Sequence, residues 1–252
     1  MSGPDLVAAR DGAVLHLQLN RADKGNALSS TLVTALTDAV DKASQDANLR
    51  LLVISGAGRH FCTGFDLSDL DNETDDSLLS RFTRVELLLQ AVHAAPFTTL
   101  ALAHGRTTGA GADLFAACTE RWIVGDASFT FPGAAFGLVL GTARLATLVG
   151  APSAASWLQG GAVVDGATAL VSGLATRQIE SSALVAEQAA LTARVSRLDG
   201  ATQRAIHAAI DATRRPRGEA GDAEDLARLV RSAARPGLRD RIAAYRAAQR
   251  KR

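Results

Sequence analysis

This 252-residue chain has little cysteine, little aromatic area and almost no surplus of charge. Its two cysteines, Cys62 and Cys118, are too few for a disulfide framework and have no metal-ligand spacing. A reducing, cytoplasmic setting fits that usage. Lys+Arg number 27 against 26 for Asp+Glu, so broad attachment to nucleic acid or to an anionic membrane is not expected. Lysine occurs only at Lys24, Lys42 and Lys251, which leaves arginine to carry the positive charge. No uncharged apolar stretch reaches the ~18 residues that a membrane span requires. Asp5 and Arg10 precede any apolar run, so the N-terminal segment does not read as a signal peptide. Aromatics are only 4% of residues, yet 47% are hydrophobic, ample for a core built from aliphatic side chains.

What is present alternates between strand and helix. Val14–Leu19 places Leu15, Leu17 and Leu19 on one face, the period of a half-buried strand, with a hairpin turn at Asp11-Gly12. Ser29 or Ser30 can cap a helix carrying Leu32, Leu36, Val40 and Ala43. Leu51–Ile54 is a continuous apolar run, the pattern of a strand buried on both faces. A helix over 78–92 follows and ends before Pro96. Further strands are predicted over Phe97–Ala103 and Trp122–Val124, with a helix over 112–118 between them. This order predicts an α/β fold with right-handed crossovers. From Thr142 the chain reads as helices over 142–149, 152–159, 166–173, 182–198, 200–213 and 222–249. The cluster Arg214-Arg215-Pro216-Arg217-Gly218 reads as a solvated linker.

Two loops share one design. A strand ends and a small-residue turn follows, at Phe61–Leu67 and again at Gly105–Asp113. Without a Cβ in the way, backbone N–H groups in such turns can approach a bound group closely. The second turn opens a helix and so adds free N–H donors. Two such turns converging could offer two amides to one oxygen, the requirement for an oxyanion hole; tight turns that serve packing alone are the alternative. No Gly-x-Ser-x-Gly elbow is present, which argues against a serine hydrolase. Leu114 stands where a dinucleotide fingerprint needs its third glycine, which argues against nicotinamide binding.

The stretches Asp23–Leu28, Leu51–Leu67 and Leu100–Pro132 resemble the crotonase (enoyl-CoA hydratase/isomerase) superfamily. Phe61–Leu67 is similar to the family's first glycine motif, with Thr63 in a small-residue place. Ala101–Thr119 is similar to its second, which runs through three small residues to an acid. The resemblance covers roughly residues 5–180, and the tail 237–252 looks like the family's closing helix. It implies a crotonase-like ββα spiral over 1–195, followed by a C-terminal helical region over 196–252 for oligomerisation or as a lid. It also implies an acyl-CoA substrate, no cofactor beyond coenzyme A itself, no metal, and a homotrimer or homohexamer.

Residue by residue, the resemblance makes Thr63 and Ala110 the oxyanion donors through their main-chain N–H groups, and Asp113 the acid/base. Lys24, Asn26, Ala27, Leu28, Phe65, Asp66, Leu67, Gly109 and Gly133 fall on substrate-binding segments. Asp66 is taken as structural, His104 as bonding loop backbone, and Cys62 and Cys118 as small core residues.

The acids depart from the pattern. Asp113 is shorter than the family's glutamate by about 1.5 Å, one C–C bond. Gly133 stands where hydratases carry a second glutamate and offers no ionisable group. The helix opening at Leu140–Leu145 is also shortened by about three residues. Adding water to a double bond needs a group to activate the water, so isomerisation or another enolate reaction is easier to support. Thioester hydrolysis, decarboxylation and a degenerate acyl-CoA-binding protein are the alternatives. Asp69, Asp71, Glu73 and Glu86 are candidate substitutes for the missing acid, each read as a solvated surface residue. His60 and His93 are likewise read as exposed.

Overall fold

A computed structural model describes residues 3–214 and 218–250. The chain opens with an antiparallel hairpin, β1 (Leu6–Asp11) and β2 (Val14–Leu19), paired from Leu6↔Leu19 to Asp11↔Val14 as the Asp11-Gly12 turn requires. Helix α1 (Ser30–Ser44) is capped by Ser29, whose side chain accepts from Leu32 N at 3.1 Å. It buries Leu32, Val33, Leu36, Val40 and Ala43. Parallel strands β3 (Leu51–Gly56), β4 (Thr98–Thr108) and β5 (Glu120–Thr130) follow, joined through α2 (Asp75–His93) and α3 (Ala110–Ala117). With the short β6 (Val164–Asp165) and β7 (Arg177–Ile179), the sheet runs β1-β2-β3-β4-β5-β6, with β7 beside β5. The expected α/β crotonase-like architecture is present.

Two strands run longer than the sequence pattern indicates. β4 was expected to stop at Ala103 and β5 to span 122–124. Instead both continue past a register shift, after which Gly105–Thr108 pairs with Ala127–Thr130. The bulge changes which face each residue presents, so simple apolar periodicity cannot follow the strand through it. The extension delivers the end of β4 to the start of α3.

The remaining helices are α4 (Thr142–Val149), α5 (Ala151–Gly160), α6 (Gly166–Ser172), α7 (Leu184–Val195), α8 (Gly200–Arg214), α9 (Gly218–Ala233) and α10 (Leu238–Gln249). The single helix expected over 222–249 is therefore two, broken after Ala233. Pro236 lacks an amide hydrogen, and Gly237 sits at φ 79 before α10 begins. Residues 215–217 of the expected linker lie outside the described residues.

Two clusters frame the site. The main core packs α1, α2 and α3 on the sheet around Leu17, Leu32, Ile54, Phe61, Phe97 and Phe115, all essentially buried. A second gathers Leu70, Leu78, Phe82, Phe136 and Leu138 with Leu229, Ala233, Leu238 and Ile242 of α9 and α10. The last two helices thus close over α2 beside the glycine-rich turns. Among the described residues no helix is long and apolar enough to cross a membrane.

Candidate active site

The two glycine-rich turns meet at one cavity of about 150 Å³. The first turn enters through an isolated parallel bridge between Leu28 and Phe65: Leu28 N donates to Gly64 O at 2.7 Å and Asp66 N to Leu28 O at 3.1 Å. In a parallel bridge the flanking residues carry the bonds, so the amide of Phe65 itself points to the other side. Gly64, at φ 94, allows the turn to lie against the end of β4: a Cβ there would be 2.6 Å from Thr108 O and 3.6 Å from Ala110 N. The two turns are therefore in direct apposition.

Ala110 is the first residue of α3, capped by Gly109, and its N–H has no acceptor among the described residues. The same holds for the N–H of Phe65. Thr63 differs from expectation: its N–H donates to Gly25 O at 2.9 Å, so this amide is already engaged. The amide free beside Ala110 is that of Phe65, two residues on, and the physical reason is the bridge to Leu28. The Phe65 ring stacks on Phe82 at 4.0 Å between centroids, and the Arg81 guanidinium covers it at 4.2 Å. Arg81 also donates to Asp66 O at 2.9 Å, which fixes the turn from outside.

Asp113 lies one helical turn after Ala110, so its carboxyl and the Ala110 amide share a face of α3 and both line the cavity. Its side chain is 6% exposed. Burial pushes its pKa up to about 8, against the pull of Arg144 and with a smaller push from Glu86. Gly141, at φ 62, makes the space: a Cβ there would stand 2.8 Å from Asp113 Cγ. Thr63 and Thr108 also border it, and apart from them and the Tyr245 hydroxyl the rest of the lining is apolar, including Leu67, Phe82, Phe131, Phe136, Leu138 and Leu140. Among the described residues no second carboxylate lines the cavity, and Gly133 borders it where a Cβ would rest in ordinary contact with Leu138, 3.7 Å from its Cβ.

Of the other expected residues, Gly109, Phe65 and Leu67 reach the cavity, whereas Lys24, Asn26, Ala27, Leu28 and Asp66 do not line it. Asn26 is fully buried at φ 56; its Nδ2 donates to Ala57 O and His60 O at 2.8 and 2.7 Å, and its Oδ1 accepts from Arg21 N at 2.9 Å. Asp66 pairs with Arg21 at 2.8 Å and accepts from Ser68 N. Those hydrogen bonds, working against burial, hold its carboxyl below the usual range. His104 Nε2 donates to Gly58 O at 3.0 Å, in line with the expected loop contact. His60 is only partly exposed; its Nδ1 accepts from Arg106 N at 3.1 Å, and burial plus nearby Arg106 and Arg59 lower its pKa. His93 is also half-buried, against Ala117 O at 3.4 Å.

One correction concerns Glu86. Read from sequence as a surface acid, it is 1% exposed and bonds Arg144 at 2.9 and 2.6 Å. Its flanks signal this, since Val85, Leu88 and Leu89 are all buried, but the partner lies 58 residues away and leaves no local mark. Glu73 pairs with Arg81, while Asp69 and Asp71 are exposed as expected. Leu140 lies on the segment whose shortening the sequence shows, whereas Tyr245 of α10, Phe136 and Leu138 carry no local signal, because only tertiary packing brings them here.

Comparison with known proteins shows the family and the fold. The family model described as Enoyl-CoA hydratase/isomerase matches residues 9–237. The fold superposes with a TM-score of 0.89 on a crystal structure described as an enoyl-CoA hydratase/isomerase from Bordetella parapertussis, 42% identical, over 96% of this chain and 98% of that one. A Mycobacterium tuberculosis protein designated enoyl-CoA hydratase is 36% identical over 169 residues, 66% of this chain and 67% of that protein. The mitochondrial Delta(3,5)-Delta(2,4)-dienoyl-CoA isomerase of Homo sapiens is 35% identical over 127 residues, 46% of this chain and 39% of that protein. With a family model matching over residues 9–237 and the fold shared, the chain belongs to the enoyl-CoA hydratase/isomerase family of the crotonase superfamily.

Proposed function

We propose that this enzyme moves a double bond within an apolar enoyl thioester of coenzyme A, using Asp113 as its only proton shuttle. The observation that carries the reading is that, among the described residues, a single buried carboxylate shares a cavity with two unengaged amides and no second acid. The N–H groups of Phe65 and Ala110 hold the thioester oxygen and take up the negative charge that develops on it. Asp113 removes a proton from C2 of a 3-enoyl thioester, leaving a dienolate. It returns that proton at C4, which yields the conjugated 2-enoyl thioester. One proton leaves and one arrives, so no water is consumed.

The apolar walls favour this balance because they exclude water from the dienolate and strengthen both amide contacts. Hydration would need a second group to activate water, and Gly133 supplies none. Lys24, Asn26–Leu28, Asp66 and Leu67 serve in this reading as the outer cradle for coenzyme A, and no cofactor beyond it is required. The exposed Val163, Val171 and Val185 on or beside α5, α6 and α7 support a trimer or hexamer, with the helical region from residue 196 as its lid or contact. Light scattering in solution measures that assembly.

Steady-state assays with a 3-enoyl-CoA and with crotonyl-CoA test the chemistry. Conjugation of the first without hydration of the second is the expected result. Binding of both esters with turnover of neither, or hydration as fast as isomerisation, would overturn it.

A further inference from the structure

Behind the cavity carboxylate lies a buried ion pair that the proposed proton transfer does not use. Glu86 of α2 grips Arg144, in the first turn of α4, through both terminal guanidinium nitrogens at 2.9 and 2.6 Å. Gln90, one turn along α2, donates to Glu86 Oε1 at 2.8 Å and to Asp222 O at 3.0 Å. The glutamate is thereby held from two sides. Arg144 Nε is buried with no acceptor among the described residues. Arg144 bears on Asp113 electrostatically, yet the two side chains form no ion pair.

The surroundings of Asp113 isolate this pair as its controlling charges. Glu86 faces it from α2 and Arg144 from α4, while Tyr245 of α10 lines the same cavity. Asp225 of α9 adds negative potential at Arg144. The charges on β4 and β5 are engaged or directed elsewhere: Arg121 donates to the carbonyls of Cys118, Thr119, Gly173 and Leu174, Glu120 pairs with Arg194, and Arg106 and Asp126 are exposed. His104 contacts Gly58, and His93 lies at the far end of α3 beside Ala117.

We propose that the Glu86–Arg144 pair is a positioning element for Asp113: the glutamate holds the guanidinium back, so that the cavity carboxylate stays unpaired and free to carry a proton. A guanidinium released beside a buried carboxylate would pair with it, turn its oxygens away from the cavity and weaken it as a base. The bidentate grip of Glu86 occupies both terminal nitrogens of the guanidinium. Gly141 keeps the space under the carboxyl open, and Arg144 follows it by three residues, so one helical turn sets both the room and the charge. For its catalytic consequence the inference rests on the isomerase reading; its electrostatic consequence stands apart from that reading.

The test is a carbon-13 NMR titration of the Asp113 carboxyl in the full chain without substrate, alongside the pH profile of 3-enoyl-CoA isomerisation. In Glu86→Gln the Asp113 midpoint is expected to fall by about 1–3 pH units, as a newly available cation implies. Turnover at high pH should fall with it. Because Glu86→Gln strands a buried cation, Glu86→Met/Arg144→Met is titrated as well. Removing both charges should raise the midpoint, since the pull of Arg144 on Asp113 exceeds the push of Glu86. An unchanged Asp113 midpoint in either folded variant overturns the proposal. Full turnover by Asp113→Asn would instead overturn the isomerase reading and leave the titration result intact.

Discussion

One cavity has two walls built on different principles. The amide wall, Phe65 and Ala110, consists of main chain from two turns, each fixed by its own strand end, and the first also by a bridge to Leu28. The acid wall is one side chain, Asp113, given room by Gly141 and lying in the field of Arg144 and Glu86 from two other helices. Main chain tolerates sequence change so long as the backbone path is kept, which is why Ala can stand in the middle of a glycine run. The acid wall has no such tolerance, because its chemistry depends on the length, ionisation and neighbours of a single carboxyl.

The largest effect should come from breaking the acid wall. Asp113→Asn is expected to lower kcat for 3-enoyl-CoA by roughly 10²–10⁴-fold, with KM little changed. The same variant should be more stable than the parent. Asp113 is raised from 3.8 to about 8, so the unfolded chain releases this proton first and stability falls as pH climbs through that window. Asparagine removes the penalty. Thermal melts at pH 5 and 8.5 should therefore show the gain in Tm of Asp113→Asn growing with pH; a gain independent of pH would contradict the ionisation assigned here.

Breaking the amide wall comes next. Gly64→Ala sets a Cβ 2.6 Å from Thr108 O at φ 94, which must part the two turns. A loss of about 10²–10³-fold in kcat is expected, the usual cost of removing one oxyanion donor, while Asp113 keeps its midpoint. Crowding the acid without removing it should cost less. Gly141→Ala displaces the Asp113 carboxyl, and a misplacement on the ångström scale is worth about 10²-fold at most; single-turnover rates on the variant read this directly. The smallest change should follow Thr63→Ser, within a factor of about two, because the Thr63 amide is bonded to Gly25 and lies outside the hole. A large kcat loss in that variant would return the donor role to Thr63.

The same contrast explains what could be read from the sequence. The amide wall was legible because its small residues are contiguous and its strands carry strong apolar runs. Even so, the motif points to the Thr63 amide, and only its hydrogen bond to Gly25 reveals that this amide is taken while that of Phe65 is not. Asp113 was legible as a candidate by its position after the glycine run. Its partner pair was not, because Glu86 and Arg144 are 58 residues apart and a glutamate on a long helix reads as solvated. The lengthened β4 and β5 and the break before α10 failed for related reasons: a bulge and a Pro-Gly step interrupt the periodicity on which such readings depend.

Asn26 ties this architecture to one carboxamide. Its amide nitrogen faces two carbonyls, and its backbone holds a left-handed conformation that few other residues accept. Spontaneous deamidation there would exchange a donor for an anion aimed at those same two oxygens. Full burial and three hydrogen bonds shield the carboxamide from that chemistry, so the same contacts that hold the turn also protect the residue that makes them.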